Sequence, residues 1–136
     1  MSYGMSAALQ GAVWSALSAD ATLAGLVGDA IFDAAPAGAV PATYVALGPE
    51  RVRDGSTADG GGAVHDFTVS VVTEAAGFQA AKAAAAAVSD VLTGGTLSLS
   101  RGRVVGLWFL RARAERAESG ALRRIDLTFR ARLEDD

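Results

Sequence analysis

The C-terminal stretch VVGLWFLRARAERAESGALRRIDLTFRARL, residues 104–133, decides the fold of this chain. Apolar and charged residues alternate on both sides of the Ser119-Gly120 dipeptide, and a period of two is typical of strands with one buried face. A Ser-Gly pair between two such runs favours a tight turn. The stretch therefore predicts a long antiparallel β-hairpin with one apolar and one charged face.

The register of this hairpin follows from placing Ser119 and Gly120 in the turn. One face then pairs Ala114 with Ile125, Ala112 with Leu127, Leu110 with Phe129, and Trp108 with Ala131. The other face pairs Glu115 with Arg124, Arg113 with Asp126, Arg111 with Thr128, and Phe109 with Arg130. A slip of one residue would set charge against apolar side chains. We therefore expect the first face to be buried and the second to be open.

The charged face also carries Leu107 and Phe109. Apolar residues beside arginine on an uncovered sheet are typical of a protein-binding surface, and ordinary surface exposure is the alternative reading. We predict that neighbouring subunits or partners meet this face and the loop before the second strand, through Arg51, Arg53, Asp54, Leu107, Phe109, Arg111, Arg113, Arg130 and Arg132.

Two helices are predicted upstream of the hairpin. Residues 6–18 form the first, with Ser6 as N-cap and one apolar face made of Leu9, Val13, Trp14 and Leu17. Asp20 is expected to cap a short turn that ends at Gly28. The Ala-rich residues 78–93 form the second helix, with a buried stripe of Phe78, Ala81, Ala85, Val88 and Leu92.

Two further strands are predicted at residues 43–47 and 64–74. Two prolines and a glycine keep residues 33–41 from regular structure, and the Gly-rich residues 49–63 predict a mobile, exposed loop. Residues 96–103 fit a short strand or a turn. The order α-β-β-α-β-β predicts a single α+β domain over residues 1–136, a two-layer sandwich with two helices on one face of a four-stranded antiparallel sheet.

Composition excludes several classes of protein. The 136 residues include no Cys and a single His, so disulfides and thiolate metal sites are excluded. The net charge of −3 does not favour nucleic-acid binding by the molecule as a whole, although residues 1–100 carry −6 and residues 101–136 carry +3. No signal peptide is visible, and no apolar run reaches the ~18 residues that span a bilayer. We expect the chain to stay in the cytoplasm or to be assembled there into something larger.

No motif predicts catalysis or a cofactor. His65 is expected to be structural or exposed, and residues 134–136 form a charged tail rather than an acid/base pair. Gly60-Gly61-Gly62 lacks the Lys-Ser/Thr of a phosphate loop. Residues 54–59 lack the Glu that completes a calcium loop. We therefore predict no enzyme, and no catalytic, cofactor-binding or metal site.

Short motifs along nearly the whole chain resemble the tail terminator or tail completion proteins of long-tailed phages and of phage-like gene transfer agents. They are LSADATLAGLVG at 17–28, IFD at 31–33 with Pro36, VPATYVALG at 40–48, and the closing strand FRARLE at 129–134. The resemblance implies a ring, usually hexameric, that caps the head-proximal end of the tail tube, stops tube polymerisation and joins the tube to the head connector. It also implies that DNA passes through the lumen.

The partners implied by the resemblance are other copies of this chain, the tube protein and the head–tail connector or stopper, within a particle tail assembled in the bacterial cytoplasm. No membrane is implied. The acidic balance suits a conduit, because tight phosphate binding would hold the DNA; we expect the C-terminal arginines to be paired or at protein interfaces. Two alternatives stay open: another connector or tube component, and a small cytoplasmic ligand-binding or enzymatic α+β domain.

Overall fold

One five-stranded sheet and three helices make up the described part of the chain. A computed structural model describes residues 3–34 and 40–136. The helices are α1 (Ser6–Ala19), α2 (Ala21–Val27) and α3 (Gln79–Gly94). The strands are β1 (Ile31–Phe32), β2 (Thr43–Asp54), β3 (Gly62–Thr73), β4 (Arg103–Ala117) and β5 (Leu122–Glu134). The predicted loop at 33–41 lies largely outside the described residues.

The sheet is mixed, with the strand order β1-β2-β3-β5-β4. The predicted four-stranded antiparallel sheet with two helices is therefore wrong. Ile31 and Phe32, which have no alternating pattern of their own, pair in parallel with Val45 and Ala46. The segment after Asp20 is a helix rather than a turn, because the Asp20 carboxylate accepts a hydrogen bond from the Leu23 backbone N–H at 2.9 Å.

The predicted loop at 49–63 is mostly strand. β2 continues through Asp54 after an irregularity between Leu47 and Glu50, and β3 begins at Gly62. The connection is thus residues 55–61, closed by a hydrogen bond of 2.9 Å from the Gly55 N–H to the Gly62 carbonyl. A Cβ at Gly62 would lie 2.9 Å from the Gly55 carbonyl oxygen. Glycine is required there because the two strands approach too closely for any side chain.

The helices cover one face of the sheet. In α3 four of the five predicted stripe residues, Ala81, Ala85, Val88 and Leu92, are buried, whereas Phe78 is half-buried. The small alanine side chains let the helix lie close to the sheet. In α1 the prediction fails at two positions. Trp14 is 47% exposed and donates its indole N–H to the Ile31 carbonyl. The N-cap is Met5, and Ser6 instead donates its hydroxyl to Glu50.

The centre of the core is formed by β3 and β5. Val69, Val71 and Phe129 are fully buried. The Phe129 ring packs 5.7 Å from Phe67 and 5.9 Å from Phe109, measured between ring centroids. Because both strands have neighbours on each side, their alternating side chains fix which residues face the helices.

The β4–β5 hairpin follows the predicted register from Ala117–Leu122 to Arg111–Thr128 and then departs from it. Bulges lie between Phe109 and Arg111 and between Val104 and Gly106. The turn uses residues 118–121 rather than Ser119-Gly120 alone, with Glu118 and Ser119 at φ of 51° and 55°.

The first bulge reverses the faces of β4. An extra residue, Leu110, shifts the period of two, so that Phe109 lies opposite Phe129 and Trp108 opposite Arg130. The predicted pairs Leu110–Phe129, Trp108–Ala131 and Phe109–Arg130 are therefore wrong. Trp108 points away from the helices and is 49% exposed, whereas Leu107 is packed against the core.

Candidate assembly surface

The face of the sheet opposite the helices, called the open face below, is the strongest candidate surface. It consists of the side chains of β2–β5 that alternate with the core residues, and none of the three described helices lies on it. The register places eight arginines and four carboxylates there, a net charge of +4: Arg51, Arg53, Arg103, Arg111, Arg113, Arg124, Arg130, Arg132, Asp66, Glu115, Asp126 and Glu134. A chain with a net charge of −3 therefore has one strongly basic side.

An ion pair between Asp66 and Arg130 joins the two central strands on this face. The guanidinium donates to both carboxylate oxygens, at 2.8 and 3.0 Å. These hydrogen bonds are the main cause that lowers the pKa of Asp66, and the charges of Arg130, Arg53 and Arg111 lower it further. In return, Asp66 raises the pKa of Arg130. Arg130 is thus held in place by its own chain.

The predicted cross-strand ion pairs are replaced by pairs along each strand. Arg113 lies opposite Asp126, but its guanidinium meets Glu115 at 3.1 Å. Arg124 meets Asp126 at 2.9 Å, and Ser70 donates its hydroxyl to the same carboxylate oxygen at 2.5 Å. Arg113 thus pairs within its own strand rather than with Asp126.

Three exposed arginines on the open face have no ion-pair partner among the described residues. Arg51, Arg53 and Arg111 form no ion pair with any residue in the described ranges, and all three are exposed. Arg132 donates to the Gly55 carbonyl at 2.8 Å. Half-exposed Trp108 lies in the same cross-strand row as Arg130. Exposed Arg and Trp together are the residue types most enriched in protein–protein hot spots.

The other predicted interface residues lie elsewhere. Phe109, 47% exposed, is on the helix side, where it lines a shallow groove of about 310 Å³ with Ala112, Ala114 and two residues of α3, Ala85 and Ala86. Leu107 is half-buried on that same side. Asp54 ends β2, also on the helix side, and accepts hydrogen bonds from Ser56 that lower its pKa.

The interface residues predicted from the sequence omit Trp108, Asp66 and Arg124, although Arg124 is predicted on the open face of the hairpin. Asp66 and Arg124 could have been found from the alternation in their strands, which places them beside Thr68 and Asp126. Trp108 could not, because residues 107–110 are an unbroken apolar run that has no alternation to show where the period shifts.

The opposite side of the molecule is acidic. Residues 3–34 together with α3 carry four carboxylates and one amine, a net charge of −3: Asp20, Asp29, Asp33, Asp90 and Lys82. None of these four carboxylates forms an ion pair within the described residues. Asp20 and Asp90 flank a shallow cleft of about 160 Å³ between α2 and α3, which Thr22, Ala87 and Val91 complete.

A polar cluster around the buried His65 ties α1 to the sheet. His65 is fully buried on the Phe67 side of β3, and its Nδ1 lies 3.4 Å from Glu50. Glu50 also accepts hydrogen bonds from Tyr3, at 2.6 Å, and from Ser6. Burial raises the pKa of Glu50, but the hydrogen bonds from Ser6, Tyr3 and His65 together outweigh it and lower the pKa.

This cluster does not have the arrangement of a catalytic triad. In a triad the nucleophilic hydroxyl contacts the imidazole, which takes its proton. Here the Ser6 hydroxyl donates to the carboxylate, and the His65 ring lies on the far side of Glu50. Ser6 therefore has no contact with the imidazole, and the cluster acts as a hydrogen-bonded tie between α1, β2 and β3.

Neither a metal-ligand cluster nor a membrane-spanning helix is present in residues 3–34 and 40–136. Within those ranges no three His, Asp or Glu side chains converge as metal ligands. None of the helices that the structure describes has the length and apolar character needed to cross a bilayer.

The sheet is basic on its open face, and the helices on its other side are acidic. Two charged surfaces of this kind are typical of a protein that binds other macromolecules. The chain belongs to the family described as tail completion protein gp17, whose model matches residues 11–134. It is a structural component of phage-like tails, and the family resemblance seen in the sequence is confirmed.

Comparison with solved structures supports the same family. A chain from a structure described as the virion of a native gene transfer agent particle is 63% identical, with a TM-score of 0.92. The match covers 98% of this chain and 99% of that chain. A search of curated proteins finds no significant match.

Proposed function

We propose that this chain forms a ring, with six subunits, that caps the head-proximal end of a phage-like tail tube. The ring stops tube polymerisation and joins the tube to the head connector. The observation that carries the proposal is the near-complete match, at 63% identity, to a chain of a gene transfer agent virion. The family's description as a tail completion protein supports a role in finishing the tail. Six chains of 13.8 kDa have a mass of about 82.8 kDa.

The open face supports this assembly role. It offers exposed Arg51, Arg53 and Arg111, together with Arg113, Arg130 and Arg132, to a neighbouring subunit, the tube protein or the connector. Leu107, Phe109 and Asp54 offer a second contact on the helix side. Heterologous contacts repeated by rotation close into rings. DNA passes through the lumen without tight binding, in keeping with an acidic net charge and with arginines that are partly neutralised by their own chain.

Removal of the gene from a particle-producing strain tests the function. The expected result in negative-stain electron microscopy is tubes of uncontrolled length and heads without tails, with restoration by the wild-type gene in trans. Tails of normal length joined to heads in the deletion strain would contradict the proposal.

The location within the particle distinguishes a terminator from a tube subunit. An affinity label fused after Asp136 should mark one position per particle, at the junction of head and tube. Labels distributed along the tube would show a tube component instead. Salt-sensitive, tight binding of duplex DNA by the purified protein would contradict the passive conduit.

A further inference from the structure

The two sides of this molecule carry opposite charge. The open face has a net charge of +4, and the helical side, made of residues 3–34 and α3, has a net charge of −3. Both sides include exposed charges with no ion-pair partner in the described ranges, Arg51, Arg53 and Arg111 on one and Asp29 and Asp90 on the other. The basic open face of one copy is therefore complementary in charge to the acidic helical side of another copy.

We propose that the open face of one subunit docks on the helical side of the next, with Arg111 directed toward the acidic cleft that Asp20 and Asp90 flank. The inference rests on the ring proposed above and names the two surfaces that form its contact. A second copy is the occupant that the charges favour, because each copy supplies both the basic and the acidic surface.

The positions of the two surfaces allow head-to-tail assembly of identical copies. They lie on opposite sides of the sheet, so each copy can use both at once. A contact between two different surfaces is heterologous, and its repetition gives a ring when the rotation between neighbours closes. Half-exposed Trp108, in the row of Arg130, supplies an apolar anchor beside the charges. Charge complementarity sets the orientation of docking and excludes contacts between like faces.

Single charge reversals with matched controls test the contact. Arg111→Glu reverses an unpaired charge on the open face, and Arg116→Glu makes the same change on the helix side of the same strand. Asp90→Lys reverses a charge at the cleft, and Glu118→Lys makes the same change at the hairpin turn. All four positions are exposed, and circular dichroism verifies the fold of each variant.

Native mass spectrometry across a concentration series measures association. We expect Arg111→Glu and Asp90→Lys each to raise the concentration for half-assembly by about tenfold or more, since like charges then oppose each other. The two controls should assemble as the wild type does. The double variant Arg111→Glu/Asp90→Lys should recover most of the lost association, because both sides of the contact are reversed together.

Three results would overturn the inference. One is wild-type assembly by either Arg111→Glu or Asp90→Lys. Another is a double variant that assembles no better than the weaker single variant. The third is loss of duplex-DNA binding, measured by fluorescence anisotropy, in Arg111→Glu with unchanged assembly, which would make the open face a nucleic-acid surface. The ring itself fails separately, if the wild-type chain stays monomeric or if the gene deletion leaves tails normal.

Discussion

Deletion of the bulge residue Leu110 should leave the fold intact, and deletion of Thr128 should destroy it. Leu110 is the extra residue between Phe109, opposite Phe129, and Arg111, opposite Thr128. Without it, Phe109 and Arg111 become consecutive and still point to opposite faces. The deletion therefore preserves every cross-strand pair on both sides of the bulge.

The two deletions differ greatly in their expected magnitude. Leu110 is half-buried, so its loss costs about 1 kcal/mol, roughly half the value of burying a whole leucine. Thr128 lies in β5, between β3 and β4. Its loss would shift the alternation on one side of the deletion by one residue. Either Phe129 and Leu133, or Ile125 and Leu127, would then point away from the helices. Exposing one such pair costs about 5–10 kcal/mol, as much as the whole stability of a typical domain.

Far-UV circular dichroism and urea unfolding distinguish the outcomes. The Leu110 deletion should unfold cooperatively with an unchanged dependence on urea and a slightly lower midpoint. The Thr128 deletion should be unfolded or insoluble. If the Leu110 deletion is also unfolded, the bulge is not a removable insertion and the explanation given for the reversed faces of β4 is refuted.

Three further predictions concern single side chains, each measured by urea unfolding. Phe129→Ala should cost about 3–5 kcal/mol because the ring is fully buried between two others; a loss below about 1 kcal/mol would contradict the described core. Asp20→Ala should cost about 0.5–2 kcal/mol through loss of the α2 cap, whereas Asp20→Asn, which keeps the acceptor, should cost less. The pKa of Asp66 is lowered in the folded chain, so its pair with Arg130 stabilises the fold above the unfolded pKa of about 3.9 and is lost as the pH falls through the folded value. Asp66→Asn should therefore weaken the acid dependence of stability; an unchanged dependence would show that the pair contributes nothing.

The parts of the fold that repeat a clear period could be predicted from the sequence. Residues 125–133 of β5 alternate without interruption, and so do residues 111–115 of β4, so the register of that region is correct. The Ala-rich helix is correct for the same reason, since its apolar stripe recurs at helical spacing. Family membership could be predicted as well, because its motifs are spread along nearly the whole chain.

The remaining features depend on contacts that no local period records. β1 is two residues long and exists only because β2 offers an edge to pair with. Charged and apolar residues do alternate at Arg51, Val52 and Arg53. The glycines and charges around them nevertheless favour a loop over a strand. The position of a bulge within the apolar run 107–110 is set by how Phe109 packs on Phe129, a tertiary contact. For that reason the sequence predicts Phe109 opposite Arg130 on the open face, whereas the structure has Trp108 at that position.

The two bulges in β4 also bear on how this chain behaves at high concentration. β4 is the last strand of the sheet and is 15 residues long. A long, regular edge of this kind would template the addition of strands from other chains and lead to aggregation. Irregular positions at Val105 and Leu110 interrupt its hydrogen-bonding row, and four arginines along the strand repel a second edge of the same kind. The edge thus disfavours strand-by-strand addition of further copies.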